Sequence, residues 1–169
     1  MKKLKVNDIA FLGLLAALVM TLSFLETLLP PLPALPPGFK IGISNIAVMY
    51  GLFCGGFMYG IILCVLKSFF ILFVNGGYAF VLSLFGTLLS IAVMSLLIAL
   101  FKQKVSYIAL SVSGALCHNA AQILLVSLIT HSAAVFYYSP VLVLASVLCG
   151  SATAAAVKAT MPILSKVKK

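Results

Sequence analysis

The chain is built almost entirely of apolar runs long enough to cross a bilayer, and it carries only two acidic residues, Asp8 and Glu26. A water-soluble fold cannot cover its core with so little polar surface, since 64% of the residues are hydrophobic and mean hydropathy is +1.29. The surrounding medium is therefore read as lipid. The runs are continuous rather than alternating with period two, which argues for helices and against a transmembrane β-barrel. No polar stretch is long enough to form a soluble domain. The expectation is a single transmembrane domain over residues 1–169, an all-α integral membrane protein of six transmembrane helices.

Turn chemistry divides the runs. The first helix is predicted over residues 8–29. It stops at Pro30-Pro31-Leu32-Pro33-Ala34-Leu35-Pro36-Pro37-Gly38, where proline removes backbone donors and disfavours a helical predecessor. The second, short, is predicted over 41–53, before Gly55-Gly56. The third covers 57–74 and ends at Asn75-Gly76-Gly77, a strong turn signal. The fourth covers 78–100, the fifth 105–130 and the sixth 140–163, with Pro140 in a first turn where its missing N–H is harmless. Residues 131–139 are read as a loop. The charged N-terminus followed by an apolar run could imitate a signal peptide, but the run is too long and more spans follow, so it is read as a retained first helix.

All eleven basic residues are lysines. With six crossings both termini share one side, and Lys2, Lys3, Lys5, Lys102, Lys104, Lys158, Lys166, Lys168 and Lys169 fall on that side. The positive-inside rule makes it cytoplasmic, giving an N-in/C-in arrangement. The basic excess is thus a topology signal, and nucleic acid is not expected as a partner, because no basic stripe has interleaved aromatics. The four cysteines show no CxxC spacing and are read as small buried hydrophobes. Tyr137 and Tyr138 suit an interfacial aromatic belt.

Polar side chains inside lipid-crossing segments are costly, and those that persist usually face a cavity or a partner. In the predicted topology Glu26, Asn45, Lys67, Asn75, Ser90, His118, Asn119 and Gln122 lie at or outside mid-membrane depth, with Lys40 at the outer interface. They form the candidate substrate-binding set. His118 and Gln122 are four apart and share a helix face, with Asn119 beside it. Ser83, Thr87 and Ser90 descend one face of the fourth helix. Simpler roles stand beside this one: an ion pair of Glu26 with Lys67, an interhelical hydrogen bond for His118, capping by Asn45, snorkelling of Lys40 and packing by the serines. Two faces of small residues permit close helix contact. One is Ala10, Gly13, Ala17 and Thr21, a candidate partner-docking face. The other is Ser146, Gly150 and Ala154. Packing within the monomer is the alternative for both.

Several chemistries are excluded. No GxxxxGK[ST] loop occurs, so ATP hydrolysis by a P-loop is ruled out. One Asp and one Glu cannot form an aspartate-rich metal–diphosphate site, and no nucleophile triad or carboxylate pair exists. No metal site and no cofactor are expected. A pocket without reaction chemistry points to capture or transport rather than to an enzyme.

Two segments carry a resemblance. Pro36-Pro37-Gly38-Phe39-Lys40-Ile41-Gly42-Ile43-Ser44-Asn45-Ile46 and Gly114-Ala115-Leu116-Cys117-His118-Asn119-Ala120-Ala121-Gln122 resemble the family called heptaprenyl diphosphate synthase component I, or Gx transporter. Ser83 to Met94 fits the same pattern, and the similarity extends from Ile9 to Ala156. Where that family is expected to hold an arginine in the third helix, this chain has Lys67, which keeps the charge and loses the bidentate fork. The family is similar to the S-components of energy-coupling factor (ECF) transporters. The resemblance implies a six-helix bundle of the bacterial cytoplasmic membrane that captures a small molecule from outside, with an anion among the candidate ligands. It also implies docking, through Ala10, Gly13 and Ala17, on a transmembrane coupling subunit driven by ATPases in trans. The family's enzyme name implies a different role, as a non-catalytic membrane component of polyprenyl diphosphate synthesis.

Overall fold

The computed structural model describes residues 6–28, 42–101 and 105–167, with the side chains of 161–167 outside the description. The proline segment, Lys40 and the lysines at 2, 3, 5, 102, 104, 166, 168 and 169 lie outside the described residues or side chains.

The described chain is all helical: α1 (Val6–Leu28), α2 (Asn45–Gly55), α3 (Phe57–Phe101), α4 (Tyr107–Thr130), a 3-10 turn (Ala133–Tyr138) and α5 (Ser139–Val167). Four of these segments are long and apolar enough to cross a membrane: Val6–Leu28, Phe57–Phe101, Tyr107–Thr130 and Ala133–Thr160. The chain is a multi-pass membrane protein by that measure.

α3 is not one rod. Gly76 has φ 82° and ψ 178°, a conformation outside the helical region and open chiefly to glycine. The two arms, 57–75 and 77–101, fold back on each other. Lys67 meets Thr87, Cys64 meets the Leu84 carbonyl, and the Phe69 and Phe80 rings lie 5.7 Å apart. Those residue numbers pair about a centre near the Asn75-Gly76 step, the signature of an antiparallel hairpin. The turn predicted from Asn75-Gly76-Gly77 is therefore present, compressed into one non-helical residue.

Other boundaries move as well. α2 begins at Asn45 rather than at 41, because Gly42 takes φ 89° and Ile43-Ser44 form a turn. Asn45 is thus the first helical residue, not one a turn inside. At 11 residues α2 is about 17 Å long, roughly half the ~30 Å hydrocarbon core. The predicted loop 131–139 instead holds the 3-10 turn, entered through His131 in the left-handed conformation (φ 49°) and through Ser132, whose hydroxyl accepts from the Ala134 N–H. At the other end of α4, the Ser106 hydroxyl accepts from Ala109 N–H and caps the helix.

Neighbouring segments run in alternating directions. His118 of α4 lies against Gly86 of the second arm, and Gly114 lies against Ser90. Asn119 reaches Ser146 of α5, and Gly150 packs on Val112. α2 is enclosed: Ala47 to Leu52 form an unbroken buried run, and the Tyr50 hydroxyl donates to the Ala156 carbonyl of α5 at 3.0 Å.

The interior is layered. One apolar cluster joins Phe11, Leu15 and Val19, spaced four apart on α1, to Val48, Met49 and Leu52 of α2 and to Leu63, Ile91, Met94 and Leu110. A second, smaller cluster joins Leu82, Ile123, Val126, Val135 and Leu142 beside the 3-10 turn. Between them lies a band of buried polar side chains.

Candidate functional site

That band contains Ser23, Glu26, Ser44, Lys67, Ser68, Ser83, Thr87, Ser90, His118, Asn119, Gln122 and Ser146, all buried. At its centre is Lys67, only 2% exposed. Its ammonium donates to Asn45 Oδ1 at 2.8 Å and to Thr87 Oγ1 at 3.4 Å. Both acceptors are neutral, so among the described residues no carboxylate touches the charge.

The Glu26 carboxylate is engaged elsewhere. One oxygen accepts from the Ile43 N–H and the other from the Ser44 hydroxyl at 2.9 Å. These donors stand at the start of α2, whose N-terminus carries the positive end of the helix dipole. Ser44 makes no side-chain cap of its own. Glu26 of α1 thus ties the turn that leads into α2 to the bundle.

His118 lies on the other side of Asn45. A Cβ at Gly42 would come 3.1 Å from Asn45 Nδ2 and 3.8 Å from His118 Cδ2, so the three residues are contiguous. The imidazole packs against Gly86 by its Nδ1–Cε1 edge, where a Cβ would stand 2.8 Å from both atoms. Only a glycine leaves room for the ring. One turn along α4, Gln122 Nε2 is 3.1 Å from His118 Nε2. If the amide donates here, the neutral ring carries its proton on Nδ1. Gln122 Oε1, Ser83 Oγ and Ser68 Oγ are buried without a hydrogen-bond partner among the described residues. Unsatisfied buried polar atoms are uncommon in native interiors and mark places where a ligand or water completes the set.

The structure thus brings Asn45, Lys67, His118 and Gln122 together, with Glu26 linked through the first turn of α2. Asn119 faces away from them. Its amide donates to Ser146 Oγ at 2.8 Å and approaches the Leu142 carbonyl at 3.5 Å, both on α5. Ser90 is a turn further along, against Gly114 and Met94. Asn75 is exposed at the hairpin apex, about 12 Å along the helix from Lys67. Lys40 lies outside the described residues.

Sequence reasoning missed Gly42, Ser44, Gly86 and Thr87 as members of the set. Thr87 had a signal, its four-residue spacing from Ser83 on the face opposite Lys67. Gly86 had none, because its role is to be absent beneath a ring. The two small-residue faces also separate. Ala10, Gly13, Ala17 and Thr21 are exposed, and nothing lies within 4 Å of a Cβ at Gly13. Ser146, Gly150 and Ala154 are buried, and a Cβ at Gly150 would come 2.8 Å from Val112 Cα. The second face is internal packing.

Among the described residues no group of three His, Cys, Asp or Glu side chains could hold a metal. The four cysteines are free.

Neither a curated protein nor a solved structure matches the chain. A family model does, over residues 15–160, a span that includes the polar band. By that match the chain belongs to the heptaprenyl diphosphate synthase component I family.

Proposed function

We propose that the protein is a membrane-embedded capture subunit that binds a small organic molecule, an anion by preference, in the polar band around Lys67. One observation carries this reading. A lysine ammonium is buried among transmembrane segments and, among the described residues, is held only by the neutral oxygens of Asn45 and Thr87. A charge in that position is costly, and such residues generally serve an ion or substrate path. Lys67 has three donors and uses two on described residues, so one remains for a ligand. His118 and Gln122 would orient the ligand's polar edge, and Gly42 and Asn45 would form the wall toward α2.

In this reading the single domain crosses the bacterial cytoplasmic membrane six times with both termini inside. α2 forms the short second crossing, and the two arms of α3 form the third and fourth. The opening lies on the outer side, where Lys40 and Asn75 are placed. The work of transport is supplied in trans by a coupling subunit and ATPases of the ECF type, docked on the open face of Ala10, Gly13 and Ala17.

The test is mass spectrometry of small molecules that co-purify with the full-length protein in detergent, comparing wild type with Lys67→Ala and His118→Ala. The expected result is one species retained by wild type and depleted in both variants. Unchanged occupancy in both would remove these residues from any binding site.

The family description favours a second reading, a non-catalytic membrane component of a heptaprenyl diphosphate synthase system. Co-expression with a soluble synthase subunit discriminates. Prenyl-chain elongation that depends on this chain, and survives Lys67→Ala, supports the second reading against the first.

A further inference from the structure

Two buried charges of opposite sign are tied to the same short turn and do not meet. Glu26 of α1 accepts from the Ile43 N–H and, at 2.9 Å, from the Ser44 hydroxyl. Lys67 of α3 donates to Oδ1 of Asn45, the next residue in the chain, at 2.8 Å. Glu26 is 8% exposed and Lys67 2%. Among the described residues, every hydrogen-bond partner of either charge is a neutral group.

Opposite charges attract more strongly as the surrounding dielectric falls. A carboxylate and an ammonium in this interior therefore have a direct pair open to them, and the turn holds them in a different arrangement. Ile43, Ser44 and Asn45 supply neutral hydrogen bonds in place of that pair. The exchange from one arrangement to the other asks little of the backbone. Asn45 N–H bonds to the Gly42 carbonyl at 2.9 Å and Ile46 N–H to the Ile43 carbonyl at 3.0 Å, so the turn keeps its own bonds when the side chains change partners. Lysine has a flexible four-carbon stem on which its ammonium can be redirected. Two packings of one element, each with its own set of satisfied partners, are the usual basis of a switch.

We infer that Glu26 is an internal competitor for Lys67. Asn45 holds the ammonium away from it in the observed arrangement. When Asn45 lets go, the carboxylate leaves Ile43 and Ser44, takes the ammonium, and closes Lys67 to any other anion. Resting on the capture reading, the exchange is a release step, because the incoming carboxylate displaces a bound anion from Lys67.

The experiment follows the Ile43 amide, whose N–H reports where the carboxylate is. Hydrogen exchange of full-length protein in dodecyl maltoside micelles is read at single-residue resolution by mass spectrometry, with no ligand added. Asn45→Ala frees the ammonium. Exchange at Ile43 should then rise about tenfold, the ratio expected when a hydrogen bond to a charged group is lost. Asn45→Ala combined with Lys67→Met removes the competitor's target, so the carboxylate should stay on the turn and wild-type protection should return. A turn merely loosened by loss of Asn45 would exchange fast in both variants. Asn45→Ser, whose hydroxyl stops short of the Oδ1 position, repeats the comparison if the alanine variant does not fold. Unchanged exchange at Ile43 in the single variant, or a rise that persists in the double variant, would overturn the assignment. Neither measurement involves a ligand, so failure of the capture reading would leave the exchange of partners standing, and its own failure would leave capture untouched.

Discussion

Substituting alanine at Gly86 tests the centre of the site with a single methyl group. The added Cβ would stand 2.8 Å from His118 Nδ1 and Cε1 and 3.2 Å from the His118 carbonyl oxygen. Carbon does not approach that closely, and the backbone oxygen is fixed within α4, so the ring must swing off the second arm of α3. Overpacking of this kind costs about 1–3 kcal/mol. Displacing the ring also breaks its contact with Gln122, worth about 1 kcal/mol. Against this, alanine is favoured over glycine within a helix by about 1 kcal/mol. The net expected loss is about 1–3 kcal/mol, read by SDS-titration unfolding in mixed micelles. Removing the ring first should remove most of the penalty, so Gly86→Ala placed on His118→Ala should be nearly neutral, and the double-mutant cycle should report about 1–3 kcal/mol of coupling. Gly60→Ala is the control: its Cβ would meet Ile91 at 3.4 Å, an ordinary contact, and the variant should be neutral or slightly stabilising. A Gly86→Ala penalty that is the same with and without the His118 ring would refute the packing of imidazole on glycine.

Glu26→Gln should destabilise the protein by about 1–3 kcal/mol in the same titration, because an amide has one accepting oxygen and Glu26 serves two donors at the start of α2. Amide hydrogen exchange should rise at Ile43 and in the first turn of α2 before it rises in the rest of α2. Gly150→Ala should be destabilising, since its Cβ would press on Val112 Cα at 2.8 Å, whereas Gly13→Ala should not, having nothing within 4 Å. Gly13→Leu should keep the stability of the isolated protein and lower the recovery of a coupling complex in pull-downs, a result that a lipid-facing stripe without a partner would not give.

Much of the architecture was readable from the chain because its punctuation is strong. Asn75-Gly76 reverses α3, Pro140 falls in the first turn of α5, and a Gly55-Gly56 step separates α2 from α3. The start of α2 was misjudged because Gly42 takes a positive φ, which an apolar run with one glycine does not announce. Proximity was legible in part: Asn45 touches Lys67, and His118 stands beside Gly42. Azimuth was not. A one-residue step on a helix turns a side chain by about 100°, so His118 and Asn119 part company, one toward α3 and one toward α5. The partner of Glu26 was hidden for a different reason. Its contact depends on how closely the end of α1 approaches the start of α2, and no local pattern encodes that distance.

The reversal at a single glycine also fixes a register. Lys67 and Thr87 face each other because comparable lengths of helix separate them from the apex, nine residues before Gly76 and eleven after it. One residue inserted between 68 and 75 would rotate Lys67 by about 100° and slide it about 1.5 Å against the second arm, carrying its ammonium out of the bundle. The same insertion beyond 95 would leave the pairing intact. Length between Lys67 and Thr87 is thus as strictly constrained as identity, and the two halves of the hairpin can drift in sequence only so long as that stretch neither gains nor loses a residue.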